Sequence, residues 1–252
     1  MTVLANKSAI VTGGGSGMGA AVALSLSEVG YQVTVADVNA QGGQETVNTI
    51  LAAGGTAQFI LTDVSDEQDV IKLVDGAVSA YGKLDAACNA AGISQRGKIM
   101  HELSLEEWDR CIAINLRGLF ICNKYQVRAM LKNGGGAIVN IASAVSMIAV
   151  PNGAEYCASK AGVMGLVRGA AVDYATKNIR INAVLPGATR TPMLTSATAQ
   201  DPTLEAALVS VLPMNRFCDP SEIAGAVRWL LSDEASYVTG TSIAIDGGML
   251  AI

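Results

Sequence analysis

Short apolar runs alternate with longer mixed segments along the chain. Strands are predicted at residues 8–12, 32–36, 56–61, 84–88, 137–141, 179–185 and 242–246. Helices are predicted up to residue 29, near 40–53 and 66–81, at about 104–112 and 115–132, from about 156 to 176, and near 220–231. Alternation of strands and helices with short connections is typical of a parallel sheet covered by helices on both faces. The predicted fold class is therefore α/β with a doubly wound sheet.

Two segments have no regular period. Residues 93–103 are interpreted as a loop, and residues 191–217 form the longest unpatterned segment of the chain. Because residues 191–217 follow a strand end, they are expected to form a lid over a substrate. No internal repeat or linker is found, so one domain spanning residues 1–252 is predicted.

Composition excludes several classes of function. Half of the residues are apolar, the net charge is −5 and the pI is about 4.9, which argues against nucleic acid or an anionic membrane as the main partner. No apolar run approaches the ~18 residues of a membrane span, and the first residues lack a basic segment followed by an apolar one, so a soluble cytoplasmic protein is expected.

The cysteine and histidine content bounds the metal and redox chemistry. The five cysteines are odd in number, scattered and free of any C-x-x-C pair, which fits reduced thiols in a core. The single histidine, His101, excludes a multi-histidine metal site, and no metal is predicted. A Ser/His/Asp hydrolase would have to use His101, and nothing in the sequence places it near a candidate serine.

A glycine cluster follows the first predicted strand. Gly13, Gly17 and Gly19 stand between that strand and the first helix, with Ser16 and Met18 among them. Glycines let the backbone approach a pyrophosphate, and the helix N-terminus favours negative charge. The cluster predicts a dinucleotide cradle, with a plain tight turn as the less favoured alternative.

An acidic residue ends the second predicted strand. Asp37 lies eighteen residues after Gly19, the place at which a carboxylate accepts hydrogen bonds from an adenosine ribose. A carboxylate there repels a 2′-phosphate, and neither Gly15 nor Val38 supplies a cation to neutralise one. NAD is therefore favoured over NADP, with a helix cap as the alternative role of Asp37.

The candidate chemistry centres on Tyr156 and Lys160. Residues four apart lie on one face of a helix, so the phenol and the ammonium group are expected to share a site. A free phenol titrates near pH 10, and a cation about 4 Å away offsets roughly the three pKa units that separate it from neutrality. Such a pair also arises by chance, but Ser143, at the end of a predicted strand, supplies a hydroxyl that would converge on the same substrate oxygen.

Taken together, these motifs resemble the short-chain dehydrogenase/reductase family over essentially the whole chain. The resemblance rests on Thr12-Gly13-x-x-x-Gly17-x-Gly19, Asn89-Ala90-Ala91-Gly92, Asn115, Ser143, Tyr156-x-x-x-Lys160, Pro186-Gly187 with Thr191, and Asp246-Gly247-Gly248. It implies a Rossmann-type, seven-stranded parallel sheet in the order 3-2-1-4-5-6-7.

The resemblance also implies roles for individual residues. The implied catalytic residues are Asn115, Ser143, Tyr156 and Lys160. The expected cofactor contacts come from Gly13, Ser16, Gly17, Met18, Gly19, Asp37, Asp63, Val64, Asn89, Ala90, Gly92, Tyr156, Lys160, Pro186, Gly187, Thr189 and Thr191. Asn115 is expected to help hold a water that connects Lys160 to solvent. Ala90 departs from the family pattern, in which many members have a second Asn.

Within the family, the sequence looks more like bacterial NAD-dependent dehydrogenases of secondary alcohols and cyclic diols. The expected substrate pocket is mostly apolar and comprises Gln95, Ala144, Val145, Ile148, Met193, Leu194 and Met214. Asp37 and Gly134 speak against an NADPH-dependent 3-oxoacyl carrier-protein reductase. A homotetramer is implied, with helices 115–132 and 156–176 at one interface.

The predicted function is the NAD-dependent interconversion of a secondary alcohol and a ketone. Two further alternatives remain open at this point. A sugar-nucleotide epimerase or dehydratase shares the Tyr-x-x-x-Lys motif but has a longer substrate domain and keeps its cofactor bound. A non-catalytic NAD-binding regulator would have no need of Ser143, Tyr156 and Lys160 together.

Overall fold

The computed structural model describes residues 7–94, 97–198 and 202–252. Their strands form a parallel sheet in the order β3-β2-β1-β4-β5-β6-β7. The seven strands are β1 (Ser8–Thr12), β2 (Gln32–Asp37), β3 (Thr56–Leu61), β4 (Ala86–Asn89), β5 (Gly136–Ile141), β6 (Ile179–Pro186) and β7 (Ser242–Ile245). The predicted fold class and strand order are confirmed.

Helices cover both faces of the sheet. They are α1 (Gly17–Glu28), α2 (Ala40–Ala52), α3 (Glu67–Tyr81), α4 (Leu105–Ile112), α5 (Leu119–Lys132), α6 (Ala154–Tyr174), α7 (Pro192–Thr198), α8 (Pro202–Ser210) and α9 (Pro220–Leu231). Apolar side chains of α1, α2 and α9 form one buried layer against the sheet, and those of α3, α5 and α6 form the other. Because both faces are buried, the central strands are apolar runs rather than alternating ones. None of the helices in these residues is long and apolar enough to cross a membrane.

The register of the strands creates a cleft at one edge of the sheet. Thr12 at the end of β1 lies opposite Ala36 of β2 on one side and Asn89 of β4 on the other. The strands that follow β1 in the chain, β2 and β3, lie on one side of it, and β4 pairs with β1 on the opposite side. In parallel sheets, ligands bind beyond the carboxyl ends of the strands at such a reversal of strand order.

Two connections differ from the predicted elements. The helices predicted at 104–112 and 115–132 are joined by a π-helical turn, Ala113–Gly118, so that the chain stays helical from α4 into α5. Within the unpatterned segment 191–217 lie the short helices α7 and α8, which are too brief to show a clear period in the sequence. The role of that segment as a lid remains a prediction.

A buried cluster of amide side chains ties the centre of the sheet to α5. Asn89 and Gln126 exchange two hydrogen bonds of 2.9 and 2.8 Å, and Asn89 also donates to Asn140 Oδ1 at 2.9 Å. Asn123 and Asn140 exchange two more, of 2.9 and 3.2 Å. Buried polar networks of this kind are rigid when every member is paired. This cluster therefore holds the ends of β4 and β5 in a defined position relative to α5.

Candidate active site

A cleft of about 640 Å³ opens at the carboxyl edge of the sheet. It is bounded by the glycine turn after β1, the ends of β2, β3 and β4, the α4 helix and the start of α7. Its lining residues include Gly13, Ser16, Gly17, Met18, Gly19, Asp37, Asp63, Val64, Ala90, Gly92 and Thr191 from the predicted cofactor set. The structure thus brings most of the predicted cofactor residues to one surface.

The glycine turn leaves no room for side chains. A Cβ atom on Gly19 would lie 2.0 Å from the carbonyl oxygen of Gly13, and one on Gly17 would lie 3.1 Å from Thr191. Ser16 occupies the N-cap position of α1, but its side chain makes no capping hydrogen bond. No acidic side chain lies in the first turn of this helix. The first amide groups of α1 are therefore available to an anion, and the turn fits the pyrophosphate of a dinucleotide.

Asp37 is fixed beside this turn by two backbone donors. Its Oδ2 atom accepts from the Gly15 amide at 2.9 Å, and its Oδ1 atom accepts from the Asn39 amide at 2.8 Å. The carboxylate therefore has a defined orientation at the wall of the cleft. At the end of β3, Asp63 is exposed and Val64 is buried, and both also line the cleft.

A second cavity, of about 170 Å³, adjoins the cleft. Ser143, directly after β5, and Tyr156, in the first turn of α6, both line it. Met18, Thr191 and Met193 line both cavities, which are therefore direct neighbours. The remaining lining residues are Ala142, Ala144, Val145, Val150, Pro186, Gly187, Ala188, Thr189, Leu194, Leu208 and Met249. The two predicted hydroxyl groups therefore face one small, largely apolar space.

Lys160 lies beneath this cavity rather than in it. Its side chain is buried, its Nζ atom donates to the carbonyl oxygen of Ile141 at 2.9 Å, and it stands 5.8 Å from the centroid of the Tyr156 ring. Burial lowers the pKa of Lys160 from 10.5 to about 8. The ammonium form still predominates at neutral pH, so a positive charge is held close to the Tyr156 ring.

Asn115 lies in the π-helical turn and connects two neighbouring segments. Its side-chain oxygen accepts from the Ile93 amide at 2.8 Å, and its Nδ2 atom donates to the Ile93 carbonyl at 2.9 Å and to Ser159 Oγ at 3.2 Å. A Cβ atom on Gly92 would lie 3.2 Å from Asn115 Oδ1 and 3.5 Å from Lys160 Nζ. The Asn115 amide thus joins the loop after β4 to α6 next to Lys160. Short π-helical turns often occur at functional sites.

A second buried charge lies one residue before Tyr156. Glu155 is 1% exposed, and neither carboxylate oxygen has a hydrogen-bond partner in the part of the chain that the structure describes. The carboxylate stands in the first turn of α6, where the helix dipole favours negative charge. Burial, together with the charge of Glu155, raises the pKa of the Cys111 thiol, which stays protonated at neutral pH.

Some predicted residues lie away from the cavities. The Asn89 side chain belongs to the buried amide cluster and does not line the cleft, because strand alternation turns it into the sheet layer. Met214 lines a separate cavity of about 300 Å³ behind the C-terminal turn, where its amide donates to the Gly247 carbonyl. Ile148 lies outside the residues that line the small cavity. Gln95 falls outside the described residues.

The structure adds residues that the sequence did not indicate. Arg110 and Ile114 line the large cleft, and Val150, Leu208 and Met249 line the small cavity. Ile114 lies one residue before Asn115, so its position follows once the helical path through the π turn is known. For Met249, no local pattern could have indicated a place in the cavity.

Comparison with known proteins agrees with this arrangement. A family model described as Enoyl-(Acyl carrier protein) reductase matches residues 13–250. The 2,5-dichloro-2,5-cyclohexadiene-1,4-diol dehydrogenase of Sphingobium indicum is 47% identical over 253 residues, covering 100% of both chains. Cyclohexanol dehydrogenase of an Acinetobacter species is 42% identical over 96% of this chain and 94% of its own. The crystal structure of levodione reductase is 36% identical, covers 98% of each chain and superposes with a TM-score of 0.95.

The chain belongs to the short-chain dehydrogenase/reductase family. It is an enzyme of the alcohol dehydrogenase and ketoreductase type, which interconverts alcohols and ketones. The fold of this family implies a nicotinamide cofactor and a small-molecule substrate.

The burial of Lys160 has a measurable effect on stability. Between pH 8 and 10.5 the folded protein holds this amine neutral while the unfolded chain still protonates it, so the contribution of Lys160 to the free energy of unfolding rises with pH in this window. We expect the free energy of unfolding of the wild type, minus that of Lys160→Met, to rise by about 3 kcal/mol between pH 8 and 10.5. Urea unfolding at several pH values measures it.

The exposed Lys177 offers a control for this experiment. Lys177→Met should track the pH dependence of the wild type, because it leaves the buried Lys160 in place. Parallel curves for wild type and Lys160→Met between pH 8 and 10.5 would contradict the buried-amine account.

Proposed function

We propose that this protein catalyses the NAD-dependent interconversion of a hydrophobic, cyclic secondary alcohol and its ketone, with Tyr156 as the acid/base. One observation carries the proposal. Ser143 and Tyr156 line a single small cavity, which shares Met18, Thr191 and Met193 with the glycine-lined cleft, while Lys160 is buried beside the Tyr156 ring. A proton donor and an oxygen ligand therefore line one cavity, with a cation next to the ring of the donor.

Each of these groups has a distinct task in the proposed mechanism. In oxidation, the Tyr156 phenolate removes the proton from the substrate hydroxyl, and Ser143 Oγ holds the same oxygen by a hydrogen bond. Lys160 favours the phenolate because its positive charge stands 5.8 Å from the centroid of the ring. In reduction, the Tyr156 hydroxyl returns its proton to the carbonyl oxygen. The nicotinamide cofactor supplies the hydride chemistry when it is bound.

The cleft supports a position for the cofactor. The glycine turn and the N-terminus of α1 would hold the pyrophosphate, and Asp37 would accept from the adenosine ribose. Pro186, Gly187, Thr189 and Thr191 line the small cavity and would adjoin the nicotinamide end. The asparagine in the π turn, Asn115, would keep Lys160 connected to solvent through a bound water.

The walls of the small cavity support an apolar substrate. Ala144, Val145, Leu194 and Leu208 present aliphatic side chains to it, and Met193 reaches it from α7. The relatives compared above are named dehydrogenases of a chlorinated cyclohexadienediol and of cyclohexanol. A carbocyclic alcohol is therefore the proposed substrate class.

Removal of the Tyr156 hydroxyl tests the mechanism. Tyr156→Phe keeps the ring but cannot transfer the proton, so kcat for cyclohexanol oxidation is expected to fall by about 10²- to 10⁴-fold. NADH absorbance measures the rate, and NADH fluorescence should show that the cofactor still binds. Tyr237→Phe, at a fully exposed tyrosine, is the matched control. Unchanged turnover in Tyr156→Phe would rule out its acid/base role and would favour a different catalytic residue.

Replacement of Asp37 tests the choice of cofactor. The wild type is expected to use NAD with a kcat/KM at least about tenfold above that for NADP, because a 2′-phosphate would meet the carboxylate. Asp37→Ala removes both the repulsion and the ribose acceptor, so the ratio of kcat/KM for NAD to that for NADP should fall by about tenfold or more. Asp75→Ala, an exposed aspartate on α3, should leave the ratio unchanged. A wild-type preference for NADP would overturn the assignment.

We further propose that α5 and α6 form an interface of a homotetramer. Phe120 on α5 and Val172 on α6 are 49% and 79% exposed, and a Cβ atom on Gly165 or Gly169 would meet no atom within 4 Å in the described chain. Apolar side chains beside an open strip of small residues favour close packing of a second copy.

A charge placed on this surface tests the proposed assembly. Val172→Arg is expected to lower the molar mass measured by light scattering from that of a tetramer to that of a smaller species, because the guanidinium group would be desolvated in the interface. Leu51→Arg, on an exposed apolar position of α2, is the control. A monomeric wild type, or a tetramer unaffected by Val172→Arg, would contradict this interface.

A further inference from the structure

The C-terminal turn supplies one wall of the small cavity. After β7 the chain makes a short 3₁₀ turn, Met249–Ala251, and Met249 lines the cavity together with Ser143 and Tyr156. Met249 is partly buried, whereas Ile252, three residues further on, is almost fully exposed. The turn therefore directs one particular side chain towards the reacting groups.

A single carboxylate fixes the backbone on both sides of Met249. Asp246 Oδ1 accepts from the Gly248 amide at 3.0 Å, and Asp246 Oδ2 accepts from the Leu250 amide at 2.8 Å. Gly247 and Gly248 have φ values of +65° and +89°, which residues with side chains rarely adopt. The Leu250 side chain packs against the buried core. The backbone at Met249 is thus held in place by its neighbours in the chain.

The cavity that Met249 lines is small. Its volume of about 170 Å³ is below the ~300–1,000 Å³ of pockets that accept drug-sized ligands. The other aliphatic side chains that line the cavity come from several different segments, from the turn after β5 to α8. Ala144, at one side, is almost completely buried. Met249 is a large side chain of this wall, and an enlarged substrate would meet it.

We propose that Met249 is a specificity-determining residue that restricts this enzyme to monocyclic alcohols and ketones, and that Asp246 positions it. This inference rests on the function proposed above and specifies its substrate class. A second fused ring would occupy the volume of the thioether side chain. In a filled apolar pocket even one extra methylene group changes kcat/KM by roughly 10- to 200-fold, and a fused ring adds several.

The ratio of kcat/KM for cyclohexanol to that for the bicyclic alcohol 2-decalol tests the role of Met249. NADH formation is measured with both alcohols, and with NAD and NADP in parallel. We expect the wild-type ratio to exceed about 100, and Met249→Ala to lower it by at least about tenfold, mainly through a lower KM for 2-decalol. Met249→Leu conserves the volume and should keep the wild-type ratio. Ile252→Ala, at the exposed end of the same turn, should keep it as well.

A double substitution tests whether Asp246 acts through Met249. Asp246→Ala should lower the same ratio and raise KM for cyclohexanol more than it changes kcat, because the turn loses both acceptors. Asp246→Asn, which retains one acceptor, should give an intermediate value. In the Met249→Ala background, Asp246→Ala should change the ratio no further, since two residues that act through one contact are not additive. Thermal unfolding checks that each variant is folded.

Different outcomes separate this inference from the proposed function. If wild type and Met249→Ala have the same ratio of kcat/KM for cyclohexanol to that for 2-decalol, Met249 does not determine specificity. The alcohol–ketone function would then still stand. If Asp246→Ala shifts the ratio equally with and without Met249, Asp246 does not act by positioning it. If the wild type oxidises neither alcohol with either cofactor, the proposed substrate class fails and this inference fails with it.

Discussion

The site depends on an ammonium group that is kept out of water. Lys160 reaches from α6 to the last carbonyl group of β5, Ile141, and this hydrogen bond places the cation beside the Tyr156 ring. A buried cation is costly unless its surroundings hold it by hydrogen bonds. The sheet provides the rigid side of this contact, because β5 is hydrogen-bonded on both edges and tied to α5 through Asn140. The proposed proton transfer at Tyr156 would thus rely on the position of a central strand.

Around this contact, the small cavity is built from parts of the chain that are distant in sequence. The turn after β5 provides Ser143, the segments after β6 provide Leu194 and Leu208, and the C-terminal turn provides Met249. Ser143 and Tyr156 stand after the strand end and on the helix, whereas most of the apolar walls come from the connecting segments. In folds whose sites lie on loops above a rigid sheet, such a division lets the walls vary while the scaffold stays the same.

Residues of similar chemical type can have different roles because of their environment. Asn89 and Asn115 both lie near the cleft, but Asn89 pairs with Gln126 and Asn140 inside the sheet layer, and Asn115 joins the loop after β4 to α6. Lys160 and Glu155 are both buried on the first two turns of α6, yet only Lys160 has a hydrogen-bond partner for its charge in the described chain. The role of each is decided by its neighbours rather than by its residue type.

The sequence by itself determined the order of strands and helices, the glycine turn, Asp37 at the end of β2, and the pairing of Tyr156 with Lys160. These features depend on residues within a few positions of one another, so periodicity and spacing reveal them. Only the tertiary structure decided that Asn89 points away from the cleft, that Asn115 lies in a π turn, and that Met249 rather than Met214 lines the small cavity beside Ser143 and Tyr156. Those outcomes depend on packing between segments that are far apart in the chain, which no local pattern encodes.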